Sequence, residues 1–441
     1  MPSIRKRNDT YQITVSLGRD SHNKQILKTT TYKPKAKSPK AIEKEVNRFA
    51  IEFENEILNG KAVTSNITFK DYALKWLDDY GKSNLQERQQ EDYLKLLERR
   101  AFPYIGHLKL NKITPSHLQE IFNDMEKEGK APPTIHKIKT TISSVLGYAY
   151  KLGLINENPC NRCFLPPIKK KNKIQCFNLE QAQLFLNALT LEYPVVFKAH
   201  ESHNGITKNV QQVKEYTTYK TIPLQFQAYF NLAIVSGMRK SEELALTWND
   251  IDFETNTVHI TKATTRTKKS GQFLKETKTE ASYRDITIPG STTLLLKAWR
   301  DEQKNLFRDD GSRIGSQGHG EQFIFIQDNG KQMNIDTPLH KFRKIISDFN
   351  SLVEAKANEA TTKEEKERLL SKKLPQIKLH DLRHTSATLL LSENTDIEVV
   401  SKRLGHARAS VTLDIYGHAL KEKDISASNK LELMFNGKNG E

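Results

Sequence analysis

Cysteine is nearly absent, with three in 441 residues. That excludes a disulfide scaffold and fits a reducing, cytoplasmic compartment. Cys160 and Cys163, in "CNRC", together with Cys176 do not complete a zinc site, because no second CxxC or well-spaced histidine pair supplies the remaining ligands. No apolar run approaches the ~18 residues that span a bilayer, and "MPSIRKRND" lacks the apolar core of a signal peptide. These absences point to a protein without a membrane partner. No GxxxxGK[ST] loop is present to cradle a nucleotide. No carboxylate cluster offers ligands for a pair of Mg²⁺ ions, which counts against two-metal nuclease chemistry. No metal or organic cofactor is expected.

Positive charge is what the chain has in excess. Lys and Arg number 69 against 53 Asp and Glu, a net +16. Residues 1–48 hold twelve Lys/Arg and four Asp/Glu, so +8 falls in about a ninth of the chain. An ordinary solvated basic face would account for part of this. A polyanionic partner accounts for it better, since pairing lysines and arginines with phosphates releases condensed counterions. Nucleic acid is the most economical such partner.

The length exceeds what one hydrophobic core usually organises, so several domains are expected. Residues 1–61 read as short strands ("TYQITVSLGRD", "KQILKTTTYK") followed by a helix with Ile42, Val46, Phe49, Phe53 and Ile57 at helical spacing. Residues 66–165 read as a bundle of four or five helices with Thr, Ser or Pro starts and Gly stops. The proline- and lysine-rich "NPCNRCFLPPIKKKNK" (158–173) reads as a basic linker. Residues 174–441 read as a mixed domain, with helices around a hairpin at about 256–288 and insertion-like stretches at 192–222 and 354–373. The fold class is therefore multidomain and mainly α with α+β parts: a small N-terminal β-sheet plus helix, an α-helical bundle, and a mixed α/β domain.

Three stretches carry candidate chemistry. "AYFNLAIVSGMRKSEELALTW" (228–248) reads as an apolar helix, a glycine break and a second helix, with Arg239 at the break. Alone, Arg239 is better explained as a surface arginine in an ion pair with Glu242 or Glu243. "HDLRH" places His380 and Arg383 on one helix face, and His384, four residues after His380, reads as structural. In "LGHARASVTLDIYGHAL" (404–420), Gly405 ends a helix, His406 sits in the turn, and Ser410 caps a helix carrying Tyr416. His418 is the weaker histidine there. Two arginines, two histidines and a tyrosine suit phosphoryl transfer by a protein nucleophile. The phenol attacks a phosphodiester, the guanidiniums balance charge on the transition state, and the departing 5′ oxygen needs a general acid.

"SGMRKSEELALTW", "HDLRHTSATLL" and "LGHARASVTLDIYGH" resemble, in order and internal spacing, the three boxes of the tyrosine recombinase (phage integrase) family. The resemblance implies a catalytic set of Arg239, Lys278, His380, Arg383, His406 and Tyr416. The lysine would be the general acid and His380 the acceptor of the tyrosine proton. Lys278 precedes the small-residue turn of "ETKTEASYRDITIP", with Lys275 close by and a long stretch between 261 and 278. The N-terminal regions resemble the arm-binding and core-binding domains of lambda-type and conjugative-transposon integrases. This implies a recombinase that forms a 3′-phosphotyrosine, works without metal or ATP as a homotetramer on DNA attachment sites, and integrates or excises a mobile element. An excisionase and a host DNA-bending protein are implied partners. The amphipathic tail "ISASNKLELMFNG" (425–437) is expected to dock, on its own protomer or on a neighbour. A type IB topoisomerase-like enzyme would share the residues, without needing an arm-binding module. A DNA-binding regulator would not need the whole set, and a metal-dependent relaxase would need a histidine pair that is not found.

Overall fold

The computed structural model describes residues 2–19, 25–36, 38–58, 67–168, 175–197, 200–203, 210–276, 283–306, 323–413, 416, 428, 431–432 and 434–435. The chain divides into two compact units, Met1–Lys170 and Lys171–Glu441.

The first unit begins with an antiparallel sheet of β1 (Ser3–Arg7), β2 (Thr10–Arg19) and β3 (Gln25–Tyr32), followed by α1 (Pro39–Leu58). The basic "SIRKR" forms β1, ahead of the two stretches named above. Ile13 and Val15 are buried with Val46 and Ala50 of α1. Tyr32 stacks on Phe49 at 4.1 Å and donates a 2.7 Å hydrogen bond to Glu45. β1 is exposed throughout and β3 along most of its length.

The helices after it are α2 (Phe69–Trp76), running through a π-helical turn into α3 (Lys82–Asn84); α4 (Glu87–Leu96), running through a second π-helical turn into α5 (Phe102–Ile105); α6 (Pro115–Lys127); and α7 (Pro132–Lys151). Thr68 caps α2 by accepting from the Asp71 N–H, and Thr114 caps α6 with His117 reaching back to it. Their apolar stripes meet in one core that includes Trp76, Leu97, Phe122 and Ile142. Cys160 and Cys163 are buried in that core, and burial pushes the Cys160 thiol up to about 12. They behave as small apolar side chains.

The second unit opens with α8 (Leu179–Ala188) and four strands, β4 (Glu192–Phe197), β5 (His200–His203), β6 (Val210–Val213) and β7 (Tyr216–Thr221). β4 pairs with β7 and β5 with β6, so the described parts of 192–222 form two antiparallel pairs. Then come α9 (Leu224–Ser236), α10 (Lys240–Glu243), β8 (Ile251–Asp252), β9 (Thr257–Ile260), β10 (Lys262–Thr267), β11 (Gly271–Glu276), β12 (Arg284–Thr287), α11 (Gly290–Leu306), α12 (Thr337–Glu359), α13 (Lys363–Leu370), α14 (Asp381–Ser392) and α15 (Ile397–Leu404).

α9 is apolar all round and therefore central. Tyr229, Phe230, Leu232 and Ala233 are buried, and Phe230 meets Phe185 and Phe342 of α8 and α12. β12, β9 and β8 form one antiparallel sheet, with Ile286 opposite Val258. The long stretch 261–278 is not a simple loop: β10 and β11 make a hairpin of their own, with Thr264 opposite Leu274. The stretch 354–373 is the end of α12 and the whole of α13, joined across by Lys373 and Glu354. Among the described residues, no helix is long and apolar enough to cross a membrane.

Candidate active site

Two helix ends build the site. α9 stops at Gly237, at φ +64°, and α15 stops at Gly405, at φ +66°. Both are left-handed conformations that cost a glycine little. Both are also tight. A Cβ on Gly237 would come within 2.9 Å of Leu404 Cδ2, and one on Gly405 within 2.9 Å of Arg284 Nη1. The two glycines turn the chain so that Arg239 and His406 begin the segments that follow.

α10 is a single turn, shorter than the second helix expected from sequence, so Arg239 gains little from a helix dipole. A buried carboxylate holds it instead. Glu242 accepts from Arg239 Nη1 at 2.8 Å, from the Arg239 backbone N–H at 3.0 Å and from Arg284 Nη2 at 2.7 Å. Burial alone would raise the Glu242 carboxyl; Arg284 and Arg239 outweigh it and keep the group below its ordinary value. Arg239 Nη2 also donates to the Gly405 carbonyl at 3.3 Å, which ties the first motif to the third. The plain ion pair weighed for Arg239 is therefore present, and it lies within the site. Arg284 completes the frame by donating from Nε to the Arg403 carbonyl at 2.8 Å. Sequence reading did not single out Glu242 or Arg284 for this role, because the partners of Arg284 lie 42 and 119 residues away.

Arg383 is buried and donates from Nη1 to the Gly237 carbonyl at 2.9 Å. Its Nη2 is buried without a hydrogen-bond partner among the described residues. Burial, then the like charge of Arg239, lowers it to about 10, so it stays cationic at neutral pH. A desolvated guanidinium N–H with nothing to bond is costly unless an anion arrives to take it.

His380 sits at the start of α14, with its imidazole lowered by burial and then by Arg383. His406 donates or accepts at Nδ1 with Thr412 Oγ1 at 2.8 Å; burial, then Arg383 and Arg239, takes it down to about 4. Tyr416 is 4% exposed. Burial raises its phenol to about 12, against the opposing pull of Arg383. Ser410 does not cap the helix before Tyr416: that helix already includes Ala409 and Ser410.

His384, whose spacing reads as structural, lies beside the tyrosine. Its Nδ1 lies 2.6 Å from the Tyr416 hydroxyl, and its ring meets that of Tyr416 at 5.5 Å. Spacing on α14 alone did not reveal this, because it depends on where the chain returns 32 residues later. Arg239, His380, Arg383, His406 and Tyr416 thus come together. Lys278 and His418 lie outside the described residues, as does most of the 425–437 tail. Lys275 is half-buried on β11, opposite Ala263. Among the described residues, no group of three His, Cys, Asp or Glu is placed to hold a metal ion.

The sequence model of the phage integrase family matches residues 206–423, and that of the phage integrase central domain matches residues 69–163. The chain belongs to the phage integrase family, the tyrosine recombinases. A tyrosine recombinase XerC-like protein of Caldanaerobacter subterraneus is 25% identical, over 98% of each chain. The ICEBs1 integrase of Bacillus subtilis is 23% identical, over 98% of this chain and 99% of that one. Among solved structures, the Tn1549 transposon integrase in complex with a circular intermediate DNA superposes with a TM-score of 0.59 at 17% identity, over 83% of this chain and all of that one. That likeness is one of fold.

Proposed function

We propose that this chain is the site-specific recombinase of a mobile element, and that it cuts and rejoins duplex DNA through a phosphotyrosine at Tyr416. The observation that carries this reading is the buried, unsatisfied Nη2 of Arg383 in the same site as a buried tyrosine. A scissile phosphate supplies the missing acceptor, and Arg239, the more exposed of the two arginines, takes a second oxygen. Held by Glu242 and backbone carbonyls, both guanidiniums are oriented before DNA binds. Charge developing on the pentacoordinate phosphorus then meets donors that need not reorganise.

Tyr416 attacks phosphorus, and the strand leaves with a free 5′ hydroxyl. His406, neutral at pH 7, donates a hydrogen bond to a non-bridging oxygen. Lys278 protonates the leaving oxygen. A histidine of α14 takes the phenol proton, a role that resemblance places on His380. The 5′ hydroxyl of a partner strand then reverses the attack, so the bond energy is kept in the adduct and neither metal nor ATP is consumed. Residues 1–61 bind arm-type DNA, 66–165 bind the core site, and 174–441 carry the chemistry, four protomers acting on two duplexes. The Tn1549 transposon integrase, solved with DNA, has a similar fold over the greater part of this chain. The ICEBs1 integrase is similar over nearly the whole length.

The test is recombination between two labelled duplexes carrying the element's attachment sequences, run in EDTA without ATP. Joined recombinant strands are expected. Relaxation of supercoils without exchange between duplexes would instead identify a topoisomerase.

A further inference from the structure

We propose that His384, rather than His380, accepts the proton of Tyr416 as the tyrosine attacks phosphorus. This rests on the phosphotyrosine reading above.

The geometry is direct. The Tyr416 hydroxyl lies 2.6 Å from His384 Nδ1, within the reach a general base requires. His380, one helical turn earlier, meets the His384 ring edge-on at 5.2 Å between centroids. The Nδ1 of His406 is engaged by Thr412. With the phenol donating, His384 Nδ1 is bare and its proton sits on Nε2.

The step balances. The phenol O–H breaks and its proton goes to Nδ1, giving an imidazolium. The oxygen's electron pair forms the bond to phosphorus. The P–O5′ bond breaks, and the 5′ oxygen takes its proton from the separate general acid. In rejoining, the 5′ hydroxyl gives its proton back to the deprotonated general acid as its oxygen bonds to phosphorus, and the displaced phenolate recovers its proton from His384.

The surroundings set the timing. Tyr416 is raised to about 12, whereas His384 is lowered by burial and then by His380. The resting pair is therefore neutral, and the proton moves only as the O–P bond forms. Arg383 opposes the imidazolium and Asp381 favours it. His406 also faces His384, and Cys176 and Arg383 face Tyr416. At pH 7 an unprotonated acceptor is ready. Acid protonates it before the tyrosine can use it.

The experiment is single-turnover adduct formation by full-length protein on a nicked suicide duplex, from about pH 5 to 9. Wild type is compared with His384→Gln and His384→Asn. Each is run with the normal 5′ oxygen and with a bridging 5′ sulfur, which leaves without a general acid. Both variants are expected to bind DNA like wild type and to cleave about 10²–10⁴-fold more slowly. They are expected to lose the acid-side fall in rate, and sulfur should not rescue them. Asn keeps an amide near the Nδ1 position without accepting a proton. If it cleaves within about threefold of wild type, His384 only positions the phenol and the proposal is overturned. Rescue by sulfur would overturn it too, by moving His384 to the leaving-group side. Melting curves accompany each variant. If both variants are unfolded, His380→Asn on the sulfur substrate decides: an acid-side fall that persists upholds the proposal, and its loss overturns it. A wild type that forms no adduct on either substrate defeats the phosphotyrosine reading itself.

Discussion

Among the described residues of the helical bundle, Thr141 is the one buried side chain outside the apolar and aromatic residues, and Trp76, Phe122, Ile138 and their neighbours form the core. Around the site in the second unit, Glu242, Glu243 and Arg383 are all buried, and the Arg284 side chain nearly so. The bundle is held by apolar surface removed from water, a force that does not depend on protonation. The site is held by charges that compensate one another, which is stable only while each partner is present. The bundle's other polar groups lie on its outside, where a groove of about 500 Å³ is lined by His136, Lys139, Thr140, Ser143, Ser144, Asn161 and Leu165. The catalytic unit buries its working groups, and at the site the Nη2 of Arg383 is left without a partner among the described residues. Substitutions should therefore act through different quantities in the two regions.

Glu242→Gln should be the sharpest break. It strands Arg284 and Arg239 beside a neutral amide and is expected to cost about 3–5 kcal/mol of stability. Adduct formation should fall even at temperatures where the variant remains folded, as read by melting curves and single-turnover cleavage. Phe122→Ala, in the bundle, should cost about 3 kcal/mol through its cavity. At temperatures where it is folded and bound, its cleavage rate and pH profile should match wild type. A changed cleavage rate would erase the distinction between the two regions.

Acid–base behaviour sharpens the contrast further. Burial holds the Glu243 carboxyl well above its ordinary 4.5, beside the buried Tyr229. A raised acid contributes stability that is fully present below the unfolded value and lost as pH rises. Glu243→Gln should therefore gain melting temperature on wild type between about pH 5 and 8, and gain least at pH 4. His406 has the opposite sign. Lowered from 6.5 to about 4, its contribution is present above 6.5 and lost as pH falls towards 4. His406→Asn should flatten the acid limb of the stability profile. A pH-independent difference between either variant and wild type would contradict these assignments.

The smallest effect on chemistry is expected from deleting residues 1–60. Adduct formation on a core site should be spared, while recombination on complete attachment sites weakens. Equal recombination by both forms would count against an arm-binding role.

What the sequence made legible was local. Glycine stops at 237 and 405, the His-x-x-Arg spacing on α14 and the apolar stripes of the bundle each depend on residues a few positions apart. The structure has helix ends at both glycines and a common core for the stripes. What stayed hidden depends on distant pairing. His384 looks like any helical histidine until Tyr416 returns to it. Arg284 looks like a strand residue until Glu242 and Arg403 are seen to share it. The β10–β11 hairpin shows in the sequence only as excess length, because "KATTRT" and "GQFLKE" lack the apolar alternation that marks a half-buried strand. The 192–222 stretch stands out as an insertion, but its residue pattern does not reveal the pairing of β4 with β7 and β5 with β6.

The most direct measurement mixes a nicked suicide duplex with wild type and with Tyr416→Phe, in EDTA, followed by denaturing electrophoresis and peptide mapping of any adduct. The account expects an SDS-resistant adduct with wild type alone, mapped to Tyr416, and equal DNA affinity for both proteins. An adduct formed by the phenylalanine variant, or one mapped to another residue, would contradict it.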